Sequence, residues 1–442
     1  MNLAFSEGRR MIDGMSIQRR LFLAFFLPAC AVLFFVAFVQ ADSREERGDR
    51  EGRILGQYIV VFNDSVVDVD AVENDILARS RGSRLDSYRY ALHGFSAQFS
   101  EADLALVQSD PRVAFVSEDR EVSIARHTSL SSQAVSSQVQ TLPTGVNRIN
   151  AENKINKGAG VHVAVIDTGI QTNHPDLKAN IVGGKNCSSG SSYNDGNGHG
   201  THVAGTIAAV NNNSGVVGIA PEAKLWAVRV LNNAGSGTWS SVICGIDFVT
   251  SKAPANGGPI RVANLSLGGG GISDNNCGNT NNDALHKAIC RARDAGVTIV
   301  VAAGNSGANT SGAVPAGYDD AVITVSALAD SDGQLGGLGA GTSYGADDTF
   351  ASFSNFGSAV DIGAPGVAIY STWTKSGYKS ISGTSMASPH VAGAAALYIA
   401  KNAGASWTQV RDALVATAEV LGAGHTDPSG RHGEPVLRAD TL

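Results

Sequence analysis

Apolar positions follow two different rhythms along this chain, and the change between them divides it. From Tyr58 to about Ile124 the apolar segments are short. Tyr58-Ile59-Val60-Val61-Phe62 predicts a strand, Val69 to Leu77 a helix, and Tyr88 to Phe99 alternates apolar and polar residues with Gly94 at a bend. Ala102 to Val107 predicts a second helix and Val113 to Val116 a closing strand, a small α+β module whose sheet is covered on one face by helices. From about Thr141 the apolar strands lengthen and alternate with helices. The strands are 161–166, 225–230, 262–267, 297–302 and 322–325; the helices are 199–210, 240–250, 282–295, 385–400 and 407–416. Continuous apolar strands interleaved with helices predict an α/β domain, a mostly parallel sheet with helices on both faces. In such sheets the crevice lies beyond the carboxyl ends of the strands. Asp167 and Asn305 follow strands while His199 and Ser385 open helices, so all four can converge there.

The segments outside these rhythms read as targeting and linking. Arg19-Arg20 precedes an apolar run from Leu21 to Val39, and Val39-Gln40-Ala41 offers small residues for cleavage before Asp42. Residues 1–41 therefore read as a signal peptide, and the protein as exported and secreted. An uncleaved anchor is the rival reading, since the run spans 19 residues. Membrane contact is expected only in that case. Residues 42–57 read as a charged linker, 58–125 as the small module, 126–140 as a Ser/Gln-rich linker and 141–442 as the large domain.

Composition narrows the class. A chain of 442 residues with 43% apolar content and 52 glycines suits a loop-rich globular protein. A net charge of −7 argues against a nucleic-acid partner. Export changes the meaning of Cys187, Cys244, Cys277 and Cys290: four cysteines in an oxidising compartment suggest two disulfides, with three pairings open. The pair Cys277–Cys290 closes the shortest loop, leaving Cys187–Cys244; four reduced thiols are the alternative.

Gly383-Thr384-Ser385-Met386-Ala387-Ser388-Pro389-His390 carries the chemistry. A serine among small residues opens an apolar helix, whose free N–H groups and dipole favour negative charge beside it. Such a nucleophile needs a base, and the base needs an orienting group. Val163-Ala164-Val165-Ile166-Asp167-Thr168-Gly169 and Gly198-His199-Gly200-Thr201-His202-Val203-Ala204-Gly205 can supply both. The order Asp167, His199, Ser385 in these flanks resembles the subtilisin-like serine proteases, or subtilases, over residues 141–442. The stretches around Cys277–Cys290 resemble the proteinase K branch. Residues 58–124 resemble the family's inhibitory propeptide, which implies a ferredoxin-like fold.

The resemblance implies that Ser385 attacks the scissile carbonyl, His199 relays its proton and Asp167 orients His199. Asn305, in Gly304-Asn305-Ser306-Gly307, matches the oxyanion donor. His199 and His202 could alternatively form a metal pair, but no glutamate follows the zincin pattern. Gly235-Ser236-Gly237 and Ser266-Leu267-Gly268 match the two walls that bind substrate as a neighbouring strand. Ser306, without a carboxylate in the specificity pocket, implies broad specificity with large apolar P1 residues. Ca²⁺ is the implied structural cofactor, with none needed for the chemistry: Gln140, Asp176, Val210, Asn212, Ser214 and Val216 match one site and Asp361 a weaker second one. The implied partners are protein or peptide substrates and the chain's own propeptide, released by self-cleavage near Ala125 and trimmed to about Val139; a monomer is expected. A pseudoenzyme and an acyl transferase on the same triad are the rival classes. The acidic, glycine-rich stretch from Asp330 to Asp348 receives no assignment from sequence.

Overall fold

A computed structural model of the chain describes residues 52–124 and 139–442. The predicted leader, Ala125 and most of the serine-rich linker lie outside the described residues.

The small module is built from β1 (Arg53–Phe62), α1 (Val69–Ser80), β2 (Ser83–Tyr88), β3 (Gly94–Gln98), α2 (Glu101–Gln108) and β4 (Val113–Ser123). Asp68 caps α1 by accepting from Ala71 N at 2.9 Å, and Ser100 caps α2 through Asp103 N at 3.2 Å. Its core joins Val60 and Phe62 of β1 to Ile76, Phe95, Ala97 and Val107. The sheet runs β2-β3-β1-β4, every pair antiparallel. Two details depart from the sequence reading. β1 begins at Arg53, inside the segment read as linker. β2 was not foreseen, because Ser83-Arg84-Leu85-Asp86-Ser87 is mostly exposed and has no apolar alternation to announce it.

The large domain is a twisted sheet of β6 (Ile181–Asn186), β7 (Lys224–Arg229), β5 (His162–Asp167), β9 (Ile260–Leu265), β11 (Thr298–Ala302) and β13 (Ile323–Ala329), neighbouring strands parallel in that order. β15 (Ile362–Pro365) continues it in parallel beside β13, and β14 (Thr349–Phe350) pairs with β13 antiparallel. Alternate residues of one strand serve opposite cores. Val163 and Val165 pack with α4 (His199–Ala208), α7 (Thr384–Lys401) and α8 (Trp407–Thr417) on one face. Ala164 and Ile166 pack with α5 (Trp239–Ser251) and α6 (Ala284–Asp294) on the other. The two covered faces are those expected of an apolar parallel sheet. Not foreseen were the edge strand β6, whose residues are largely half-buried, and the hairpin of β16 (Ile369–Trp373) and β17 (Gly377–Ile381). Disulfides join Cys187 to Cys244 and Cys277 to Cys290. Among the described residues, no helix is long and apolar enough to cross a membrane.

Candidate active site

Asp167 ends β5 and is fully buried. Its two carboxylate oxygens each lie 2.9 Å from His199 Nδ1, and Thr168 N donates to Oδ1 at 2.7 Å. His199 is the first residue of α4, held against the strand end because Gly200 follows it: a Cβ there would sit 2.2 Å from the Gly169 carbonyl. With Nδ1 committed to Asp167, Nε2 is the ring nitrogen left to exchange a proton.

Ser385 is the second residue of α7 and 2% exposed. Its Oγ donates to the Ser266 carbonyl at 3.2 Å, and Ser266 Oγ donates to the Ser385 carbonyl at 2.9 Å. Asn264 Nδ2 donates to Ser266 Oγ at 2.9 Å, and Ser388 Oγ donates to Asn264 Oδ1 at 2.7 Å. This buried network fixes the start of α7 on β9. Asn264 and Ser388 were missed by sequence reasoning, although an asparagine interrupting the apolar run Val262-Ala263-Asn264-Leu265 was a signal available to it, and the structure buries it fully.

Asn305 follows β11. Its Oδ1 accepts from Thr384, while Nδ2 is buried and has no partner among the described residues. An amide donor held in place without an acceptor can serve an anion that forms during reaction. The loop carrying it is shaped by Asn355, another residue not foreseen, whose Oδ1 accepts from Ser306 N and Ala308 N at 3.0 Å each. Ser306 itself is exposed.

His202 does not join a metal pair. Its Nε2 meets the carbonyls of Ile369 and Lys379 at 2.9 and 3.0 Å, which requires that nitrogen to carry hydrogen, and burial pushes the imidazole down to about 3.

The end of β4 occupies the cleft between the two predicted walls. Glu121, Val122 and Ser123 pair antiparallel with Thr238, Gly237 and Ser236 of β8 (Ser236–Thr238). Ser123 exchanges two backbone hydrogen bonds with Gly268, each 3.1 Å, and Ile124 N donates to the Gly235 carbonyl at 3.0 Å. Gly235 sits at φ +80°, a conformation that side chains rarely adopt and glycine takes freely. Of the second wall, Gly268 meets this tail, whereas Ser266 and Leu267 are buried, Ser266 beneath Ser385.

The chain belongs to the subtilase family. The family model "Subtilase family" matches residues 158–433, and "Peptidase inhibitor I9" matches residues 57–125. Subtilisin DY of Bacillus licheniformis is 46% identical over 292 residues, covering 64% of this chain and 93% of that protein. An alkaline protease of Alkalihalobacillus alcalophilus is 38% identical over 423 residues, 91% of this chain and 96% of its own. The crystal structure of a cold adapted subtilisin-like serine proteinase matches with a TM-score of 0.54 at 36% identity, covering 67% of this chain and 97% of the other. This subtilase is a serine peptidase carrying an inhibitor module, and residues 121–124 are the tail of that module.

The module docks on the N-termini of two helices of the large domain. Asp119 accepts from Ser240 N at 3.0 Å at the start of α5, and Ser117 Oγ donates to the Asn282 carbonyl at 2.5 Å just before α6. In return Asp247 of α5 accepts from Arg89 N, Tyr90 N and Ala91 N at 2.9, 2.7 and 2.7 Å.

A second constellation lies at the beginning of the large domain. Gln140 Nε2 is 2.9 Å from the Val210 carbonyl, 3.1 Å from that of Val216 and 3.3 Å from that of Ser214. Three carbonyls thus converge on one point, and turning the amide about its last bond brings the Gln140 oxygen there instead. Asp176 flanks this loop, accepting from Asn212 Nδ2 at 3.2 Å and Val216 N at 2.9 Å. The donors are all hard oxygens, as Ca²⁺ requires. Because Thr141 N also donates to the Gly215 carbonyl at 2.7 Å, Gln140 belongs with the large domain and not with the linker. Asp361 accepts from Thr324 N at 2.8 Å and lies 4.0 Å from Arg411; burial pushes its carboxyl up to about 7.

Proposed function

We propose that this subtilase is a secreted endopeptidase that cuts peptide bonds through Ser385, His199 and Asp167 and is made as a self-processed zymogen. The antiparallel seating of Glu121–Ile124 between β8 and Gly268 carries this reading, because it is how an extended peptide substrate would lie. Ser385 Oγ attacks the scissile carbonyl as His199 Nε2 takes its proton and then returns it to the leaving amine. Asp167 keeps the proton on Nδ1 and stabilises the imidazolium. Asn305 Nδ2 donates to the oxyanion, and water repeats the sequence to release the acyl group. Burial of Val122 and the exposed, uncharged Ser306 favour apolar side chains along the cleft, with a large apolar P1 residue. The Cys277–Cys290 segment is our ground for the proteinase K branch, which the relatives above, subtilisins and alkaline proteases, do not decide. The disulfides and the sequence of the leader favour export, and we read the enzyme as a monomer.

A bound Ca²⁺ would be held by Gln140, Asp176, Asn212 and the carbonyls of Val210, Ser214 and Val216, and would supply structural stability and no step of the chemistry. Asp361 is the candidate carboxylate of a second site.

The deciding experiment compares the full chain with its Ser385→Ala variant. The variant should stay unprocessed and lose turnover by about 10⁶, the magnitude known for the subtilisin triad. Ordinary peptide hydrolysis by the purified variant would end the triad assignment.

A further inference from the structure

Between β13 and β14 the chain makes an excursion from Asp330 to Asp348 that the protease reading leaves without a role. The strands it joins are hydrogen-bonded neighbours, with Leu328 opposite Phe350 and Ala329 opposite Thr349, so its ends meet at one base. A loop this long inside a compact domain is usually built for something.

Carboxylates organise it. Asp347 accepts from Ser331 N and Gly339 N, both at 2.7 Å, and Asp348 Oδ2 accepts from Gly336 N at 2.8 Å and Gly337 N at 3.0 Å. Asp348 Oδ1 takes the buried Arg148 Nε at 2.7 Å, and both terminal nitrogens of Arg148 go to Glu419 at 3.1 Å. That guanidinium therefore already faces two carboxylates. Asp330 is 2% exposed; one oxygen accepts from Gly333 N at 2.9 Å, while Oδ2 is buried with no hydrogen-bond partner among the described residues. Carboxylate oxygens of Asp330, Asp332 and Asp347 lie within 4.8 Å of one another, Asp332 on the solvent side. Concentrated, partly buried negative charge with one oxygen unfilled is costly unless a cation meets it.

We propose that Asp330, Asp332 and Asp347 bind a Ca²⁺ ion of their own, separate from the Gln140–Val216 loop, which pins the excursion at its base. Three carboxylates converging without nitrogen or sulfur select a hard cation. The open Asp332 side leaves room for the waters that complete the six to eight oxygens of Ca²⁺.

The test measures bound calcium by equilibrium dialysis of the full chain against CaCl₂, with Ser385→Ala present throughout to prevent self-digestion. Asp330→Asn should bind one ion fewer per chain, and Asp176→Asn should retain that ion. Asp332→Ala, a solvent-side change that leaves the core intact, should weaken it by about tenfold or more. Equal stoichiometry and Kd in the parent, Asp332→Ala and Asp330→Asn chains would overturn the proposal. Should Asp330→Asn fail to fold, an unchanged Kd in Asp332→Ala overturns it alone. Because the readout is bound metal, the result is independent of the protease reading.

Discussion

Asn305 Oδ1 accepts two hydrogen bonds from Thr384, one from its backbone N–H and one from its hydroxyl, both at 2.8 Å. Thr384, which immediately precedes Ser385, therefore dictates which way the Asn305 amide points. Asn305→Ala should lower kcat by about 10²–10³, the loss known for the oxyanion asparagine of subtilisin, with little change in KM. Steady-state kinetics on a peptide anilide measure both. A loss confined to KM would assign Asn305 to substrate binding instead.

The inhibitor module should act when supplied separately. Fragment 54–125 added to mature enzyme should inhibit it, because its tail takes the place of a substrate strand. Gly235→Val should weaken that inhibition and raise the KM for peptides together, since the tail lays its backbone on the Gly235 carbonyl and a substrate strand would use the same edge. Intact, folded fragment without effect at any concentration would exclude the inhibitory role.

Much of this arrangement was legible in the sequence, and what was not has identifiable causes. The central strands were readable because both faces are buried, leaving unbroken apolar runs such as Val163–Ile166. Asp167, His199, Asn305 and Ser385 stood out because their flanking motifs resemble those of the subtilases, and their places after strands and at helix starts let them converge. Strands β2 and β6 were not readable, being edge strands that lack a buried face. Asn355 was hidden for another reason, since its bonds go to Ser306 and Ala308, distant in the chain, and form no local pattern. Asn264 did interrupt an apolar run, but its partner Ser388 lies on a distant helix. Asp119 and Asp247 look like ordinary surface charges until the two modules meet.

Calcium should stabilise the fold. At a concentration one hundred times its Kd, an ion binding the folded state alone adds about 2.7 kcal/mol. EDTA should accordingly lower Tm and hasten autolysis, and Asp176→Asn should abolish much of the difference. A Tm indifferent to EDTA, in protein shown to be metal-free, would refute the site at Gln140.

The docked precursor should respond to pH through Asp86. Burial raises this carboxyl from the ordinary 3.8 to about 6, with Lys185 opposing the rise and Asp119 adding to it. The folded chain thus holds a proton that the unfolded chain releases. Its stabilising contribution is complete below about pH 3.8 and is lost as pH rises through about 6. Asp86→Asn cannot ionise, so its Tm relative to the parent should rise between pH 4 and pH 7. Thermal melts of the unprocessed chain at several pH values would reveal this, and a constant difference would contradict it.

The reach of Gln140 to a loop some seventy positions further along has a consequence for how the enzyme ages. Shortening the front of the large domain leaves these contacts in place only as long as Gln140 remains. One residue further, and the loop loses the side chain that gathers its three carbonyls. With the proposed calcium bound there, this glutamine would act as a ruler for its own protein, marking where trimming has to end if the loop is to keep its ion.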